Sequence, residues 1–299
     1  MPNEKKKKLS KYEKFGSLLA KENSKLIAGM PGSDFEYFSN QTLCLFRLTT
    51  PERPLKNPRQ FNSYENLLIR LFFGFNEIDK SIKNLQNTLI YIRRFPFSKT
   101  RIEKSTYLRY HYENYLNELY ILQERMQRFL TIISRLYRRD QNWENISQIT
   151  NEILHDFKRA LSRLIETRGT HIHEKRFSDL EFDQLDLFEN LKNENFPGLN
   201  MNFLYDLVYQ RILKAKRGFI RMTNKQIEKR LEIYFKLLLK SLFDKDEHLL
   251  IPKNISPIIA KSNSTPGDTI ADRFKKLAAE LKLEYGGKIK DLGAPKKSS

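Results

Sequence analysis

Apolar side chains return every three or four residues along most of this chain, and that spacing constrains its fold more than any other feature. Between Ser63 and Arg94 they stand at Leu67, Leu68, Leu71, Phe72, Phe75, Ile78, Ile82, Leu85, Leu89 and Ile92. At 3.6 residues per turn these positions form one stripe down a long helix. Pro96 closes it. Ser98 is a candidate cap for a second helix, with Arg101 where a capping box would place an acid. Its stripe runs through Leu108, Tyr112, Tyr115, Leu119, Leu122, Met126, Phe129, Ile133 and Leu136, and it ends near Arg138–Asp140. A third helix begins near Asn142 to Asn145 and carries Ile149, Ile153, Phe157, Leu161, Leu164 and Ile165 into Glu166-Thr167-Arg168-Gly169. Gly169 reads as a stop or kink. A fourth helical region covers about 202–243, with Gly218 and Thr223 as candidate break points. Between the third and fourth lies an acidic, apolar-spotted stretch from Asp179 to Glu189, broken by Pro197-Gly198.

Composition agrees with helices. The chain has a single valine, Val208, and only 11 Gly and 11 Pro among 299 residues. Sheets need β-branched strands and Gly/Pro turns, so a many-stranded fold is disfavoured. No fixed-period repeat occurs, and the stripes are too broad for a strict heptad. The expected fold is all-α: an antiparallel helical bundle of long helices with flexible basic tails. Its expected layout is a basic N-terminal arm and loop over 1–60, a bundle over 61–248, and a basic tail over 249–299. Residues 49–60 hold three prolines and read as a loop; Phe274, Leu277, Ala278 and Leu281 mark a short amphipathic piece within the tail.

Lys and Arg number 54 against 36 Asp and Glu, a net charge of +18. More than half of the excess lies in the two ends, with +5 over 1–30 and +5 over 249–299. A basic balance favours phosphate-rich partners through counterion release. The one cysteine, Cys44, sits in the apolar run Leu43-Cys44-Leu45-Phe46 and reads as a buried thiol; a disulfide framework within one chain is excluded. No run approaches the length of a membrane span, and no apolar segment follows Lys5–Lys8. A soluble, cytoplasmic protein with no membrane partner is expected.

The densest chemistry is Glu166-Thr167-Arg168-Gly169-Thr170-His171-Ile172-His173-Glu174. Arginine is a permanent phosphate ligand, and histidine exchanges protons near neutrality. Together they suit cleavage of a phosphodiester without metal or cofactor, an imidazole moving the proton of a 2′-hydroxyl or leaving oxygen. Spacing sets a condition. On a continuous helix Arg168 and His173 are about 140° apart, whereas Arg168 and His171 share a face. A site made of Arg168 and His173 therefore needs a break at Gly169 or a second chain.

The form arginine, four residues, histidine resembles the Arg-x(4–6)-His motif of the HEPN superfamily of all-helical domains. The setting is also similar, because the motif follows long apolar-striped helices; the resemblance spans roughly 63–245. It implies a metal-independent RNA endonuclease in which two protomers bring their motifs together. By position, Arg168 would bind phosphate and His173 would be the acid/base. The residue after the arginine is often polar in that family, and here it is Gly169. The resemblance also implies a homodimer and a toxin–antitoxin or antiviral-defence setting with a restraining partner protein.

Other readings of these residues stand beside it. His171 and His173 with Glu174 or Asp179 could hold a metal, although no third ligand has a recognised spacing. Tyr107, Tyr110, His111, Tyr112 and Tyr115 invite base stacking, but several lie on the apolar stripe and read first as packing. Arg211, Lys214, Lys216, Arg217, Arg221, Lys225 and Arg230 form a basic run. With Arg93 and Arg94, the residues Lys216, Arg217 and Arg221 are the first candidates for RNA contact. A non-catalytic helical module that dimerises or docks a partner, with or without RNA, is the alternative to an enzyme. No P-loop, dinucleotide fingerprint or nucleophile elbow is present.

Overall fold

The computed structural model describes residues 9–28, 62–93, 102–140, 143–173, 179–194, 196–252 and 255; of 163 and 165–173 it describes the backbone alone. Six helices are present among the described residues: α1 (Lys11–Ala28), α2 (Ser63–Tyr91), α3 (Lys104–Leu136), α4 (Trp143–His173), α5 (Leu180–Leu191) and α6 (Met201–Leu242). The same residues hold no strand, only isolated bridges at Phe196–Leu199 and Phe243–Leu249. The chain is an all-α helical bundle. Among the described residues no helix is long and apolar enough to cross a membrane. Cys44, Arg94, Ser98, the loop at 49–60 and nearly all of the C-terminal tail lie outside the described residues.

Two local expectations are corrected. The third helix does not stop at Gly169; α4 continues to His173. Gly218 and Thr223 do not divide the fourth, because α6 is unbroken over 42 residues. Thr223 is buried and the flanking Ile220 and Ile227 are core residues, so packing outweighs the roughly 1 kcal/mol that one internal glycine withholds. The acidic stretch is a helix, α5. Asp179 caps it by accepting the Glu181 amide, and the early acids Glu181 and Asp183 suit its positive N-terminal end.

The chain divides into two compact units, one of Met1–Leu19 and Ile69–Asn254, the other of Ala20–Leu68 and Ile255–Ser299. In the second, Asn62 and Glu65 form a reciprocal capping box. The Glu65 amide donates to Asn62 Oδ1 at 2.8 Å, and the Asn62 amide donates to Glu65 Oε2 at 2.9 Å. Leu67, Leu68 and Ile255 are buried in this unit.

In the first unit, Ser10 and Glu13 cap α1 in the same reciprocal way. Phe15, part of the expected N-terminal arm, is fully buried. It meets Phe235 at 4.9 Å, Phe75 at 5.7 Å and Phe129 at 6.2 Å between ring centroids, the first and last of these edge to face. Four helices thus share one aromatic cluster, the geometry that aromatic quadrupoles favour. Two glycines admit the rings. A Cβ at Gly16 would stand 2.6 Å from Phe75 Cζ, and one at Gly74 would stand 2.7 Å from Phe129 Cδ2.

Polar ties fix the register. The Tyr115 hydroxyl donates to Asn224 Oδ1 at 2.8 Å, and Asn224 Nδ2 donates to the Leu85 carbonyl at 3.2 Å. With Phe75 against Phe235 at 5.5 Å, this runs α2 antiparallel to α6. Arg125 of α3 donates to Ser81 Oγ and to the Glu77 carbonyl of α2. Residues 137–140 turn at the end of α3 and α4 starts at Trp143, and Leu130 and Leu154 wall one cleft between the two helices. The α3–α4 pair is therefore an antiparallel hairpin.

Phe15→Ala removes a ring from the point where four helices meet and is expected to cost about 3–5 kcal/mol of unfolding free energy. Gly74→Ala forces a ring already packed on all sides to shift and is expected to cost about 1–3 kcal/mol. Urea unfolding followed by circular dichroism measures both, and a loss below 0.5 kcal/mol in either would disprove this packing.

Candidate nucleic-acid interface

The motif residues Arg168, His171 and His173 occupy the last turns of α4. The hairpin register carries these turns back to the level of the first turns of α3. The chain returns to that level at Asp179, whose carboxylate pairs with Lys216, which in turn lies 4.8 Å from the centre of the Tyr112 ring. The motif is thus at the end of the bundle where α3 begins. Because the helix is continuous through Gly169, Arg168 and His171 stand about 60° apart around its axis and Arg168 and His173 about 140°. His171 and His173, two positions apart, are separated by about 160° the short way round.

The basic run on α6 separates into two groups. Lys216 is buried; it pairs with Asp179 and with Glu181 at 2.7 Å, over the rings of Tyr112 and Phe182. Its charge is neutralised inside the bundle, where it clamps α5 onto α6. Arg230 pairs with Asp156. Arg211 donates to Gln184 Oε1. By contrast Lys214, Arg221 and Lys225 are exposed and Arg217 is half-buried, and spacings of three and four put all four on one face of α6. Among the described residues no carboxylate pairs with them. Arg217 Nε is buried without a hydrogen-bond partner. Arg230, nine positions from Arg221, meets α4 on the opposite side of α6. The exposed row and the α4 terminus therefore share an end of the bundle without sharing a face of α6.

Arg93 joins the exposed row. Seven residues along α2 from Leu85 is Ile92, and seven back along α6 from Asn224 is Arg217, so the antiparallel pairing brings them level. Arg93 is exposed at the α2 terminus, its amide donating to the Ile90 carbonyl at 3.2 Å.

At the same end the tyrosine-rich run of α3 divides by helical period. Tyr112 and Tyr115 enter the core, as the apolar stripe requires. Tyr107, Tyr110 and His111 do not. The His111 ring lies 4.5 Å from Tyr107, 5.3 Å from Tyr110 and 5.5 Å from Tyr91 of α2. The Tyr107 hydroxyl donates to the Tyr91 carbonyl at 2.8 Å. Tyr110 is 60% exposed and Tyr91 50%. Burial holds the His111 pKa below its ordinary 6.5. Sequence spacing separates the inward tyrosines from the others, but the arrival of Tyr91 from α2 is a tertiary event that no local pattern signals.

A cleft of about 680 Å³ lies beside this end, lined by Glu103, Arg109, Asp183, Asp186, Glu189 and Lys192 among others. Its charges satisfy one another. Buried Glu189 accepts from Ser105 and Tyr205 and pairs with Lys192, and Arg109 pairs with Asp183 and Asp186. Lys192 lowers the Glu103 pKa by donating to it. This wall holds α5 against α3. Among the described residues no group of three His, Cys, Asp or Glu side chains is placed to hold a metal ion.

Comparison with known proteins gives no match, whether to a family model, a curated sequence or a solved structure.

Lys216→Ala strands Asp179 and Glu181 and is expected to cost about 1–3 kcal/mol, whereas Arg221→Ala costs under about 0.5 kcal/mol. Equal losses in urea unfolding would contradict this division of the basic run. The Asp156 carboxyl lies below its ordinary pKa, chiefly because it accepts from the Tyr234 hydroxyl at 2.6 Å, with Arg159 and Arg230 assisting. Its native pKa is depressed, so its stabilisation is present above the unfolded value near 3.8 and is lost as pH falls through the native one. Wild type should exceed Asp156→Asn in stability at neutral pH, and the gap should close below about pH 4. A gap that persists at lower pH would show that the carboxylate charge is not what ties α4 to α6.

Proposed function

We propose that the chain is a HEPN-like, metal-independent RNA endonuclease whose site is built on the end of α4. One observation carries the reading: Arg168, His171 and His173 occupy the last turns of a helix in an all-α bundle, at the end that also presents Arg93, Arg217 and Arg221, which have no carboxylate partner among the described residues. The Arg168 guanidinium holds two non-bridging oxygens of a phosphate. An imidazole accepts the proton of the neighbouring 2′-hydroxyl, whose oxygen attacks phosphorus. The 5′-oxygen leaves with a proton from a second acid, giving a 2′,3′-cyclic phosphate and a 5′-hydroxyl. The angles favour His171 as the partner of Arg168 within one chain and His173 as the group offered to a second copy. The reading thus includes a homodimer. A toxin–antitoxin or defence setting, with a partner protein that restrains the enzyme, rests on the motif resemblance alone. A second reading, a helical RNA-binding module without cleavage, is favoured by the unbroken helix, which sets Arg168 and His173 about 140° apart.

Incubation of mixed RNAs with excess chelator tests this. Wild type should produce cyclic-phosphate ends, Arg168→Ala should lose at least about 100-fold in rate, and His171→Ala and His173→Ala should each lose activity. Mixing Arg168→Ala with His173→Ala should restore part of it if two copies share the site. RNA bound but never cut would leave the binding module, and cleavage abolished by chelator would revive a metal.

A further inference from the structure

The described surface presents large aromatic rings at the bundle end that also carries Arg93 and Arg217, which have no carboxylate partner among the described residues. Tyr91 and Tyr110 are at least half exposed, although both touch His111. Tyr107 braces them by hydrogen bonding to the Tyr91 carbonyl and packing on His111 at 4.5 Å. The rings are thus held in place from two helices while two of them remain open to solvent. Exposed tyrosines on a fixed support lose little entropy when a planar ligand stacks on them. Arg93 follows Tyr91 by two residues, and Arg217 is level with the same helix end. Arg217 carries a buried Nε with no hydrogen-bond partner among the described residues. Open π faces at a bundle end that also carries guanidinium groups are the chemistry of single-stranded nucleic-acid binding, in which bases stack and arginines track the backbone. A duplex offers its phosphates but not its base faces, so it would use only half of this surface.

We infer that Tyr91 and Tyr110, braced by His111 and Tyr107, form a stacking platform for unpaired bases of RNA, with Arg93 and Arg217 on the flanking phosphates. The inference deepens the nuclease reading by naming single-stranded RNA as its substrate class, and it rests on that reading only for the link to cleavage. The platform lies at the level of the α4 terminus, so a strand stacked on Tyr110 can continue over the exposed side of α3 toward Arg168. Burial favours neutral His111, so the support adds a π surface rather than a charge at neutral pH.

The test uses the full chain and a short 2′-O-methyl oligouridylate carrying one 2-aminopurine, which has no 2′-hydroxyl to react at any position. Binding should quench the 2-aminopurine. Tyr110→Ala and Tyr91→Ala should each weaken binding roughly ten-fold and abolish the quench without changing the salt slope, while Tyr110→Phe retains both. Arg93→Ala should instead lower the salt slope by about one and leave the quench intact. A duplex of the same length should bind more weakly and ignore the tyrosine changes. Wild-type affinity in Tyr110→Ala, or equal competition by heparin or duplex, would overturn the platform. The two readings separate cleanly: binding lost in Tyr110→Ala with no cleavage of any RNA supports the platform and removes the nuclease. Cleavage that proceeds with Tyr110→Ala at wild-type affinity does the reverse.

Discussion

Everything in the first compact unit depends on one contact set, the rings of Phe15, Phe75, Phe129 and Phe235. A long helix in water gains little from its own hydrogen bonds, and its stability comes from burying one face. Here the four buried faces converge at one aromatic cluster within a core otherwise rich in leucine and isoleucine. Rings are large and stiff, so each fixes both the distance and the rotation of its helix. The absence of a side chain at Gly16 and Gly74 lets Phe75 and Phe129 approach the neighbouring backbones. The same rigidity makes the arrangement intolerant of an added methyl group at either position.

Burying rings sets which faces meet; it does not set register, because one apolar stripe slides along another at low cost. The register comes from buried polar groups, which lose their partners if the helices slip. Tyr115, Asn224 and the Leu85 carbonyl tie three helices in one chain of hydrogen bonds. Asp156 with Tyr234 and Arg230 does the same between α4 and α6, and Lys216 with Asp179 and Glu181 between α5 and α6. Once these are satisfied, the start of α3, the end of α2 and the end of α4 fall at one end of the bundle. The candidate interface is thus a consequence of polar ties some distance from it.

The helices were legible because a 3.6-residue stripe is a local property: the stripes ending near Ile92 and Leu136 and starting near Trp143 match α2, α3 and α4. The two capping boxes, Ser10 to Glu13 and Asn62 to Glu65, are also written in the sequence as an oxygen-bearing residue three before a glutamate. What did not read through was tertiary. Gly169 and Gly218 have the chemistry of helix breakers, and only the packed neighbours of each helix decide that they are not. Lys216 reads as one of a row of surface cations, yet its position on the core side of α6 and the return of the chain at Asp179 bury it. The tyrosine run looks uniform, while its members differ by helix rotation: Tyr112 and Tyr115 are core residues and Tyr110 is surface.

Part of the net charge of +18 also gains a location. Inside the bundle several cations stand with acids: Arg109 with Asp183 and Asp186, Arg125 with Glu77 and Glu118, Arg230 with Asp156. These pairs hold helices together and leave little field outside. Arg93, Lys214, Arg217, Arg221 and Lys225 have no carboxylate partner among the described residues, so their field extends into solvent on one side of α6 and the adjoining end of α2. A polyanion gains most where cations are not already neutralised, because only there does binding release counterions from its own phosphates without breaking an internal pair. The Tyr91–His111–Tyr110 cluster stands at the same end of the bundle as Arg93 and Arg217.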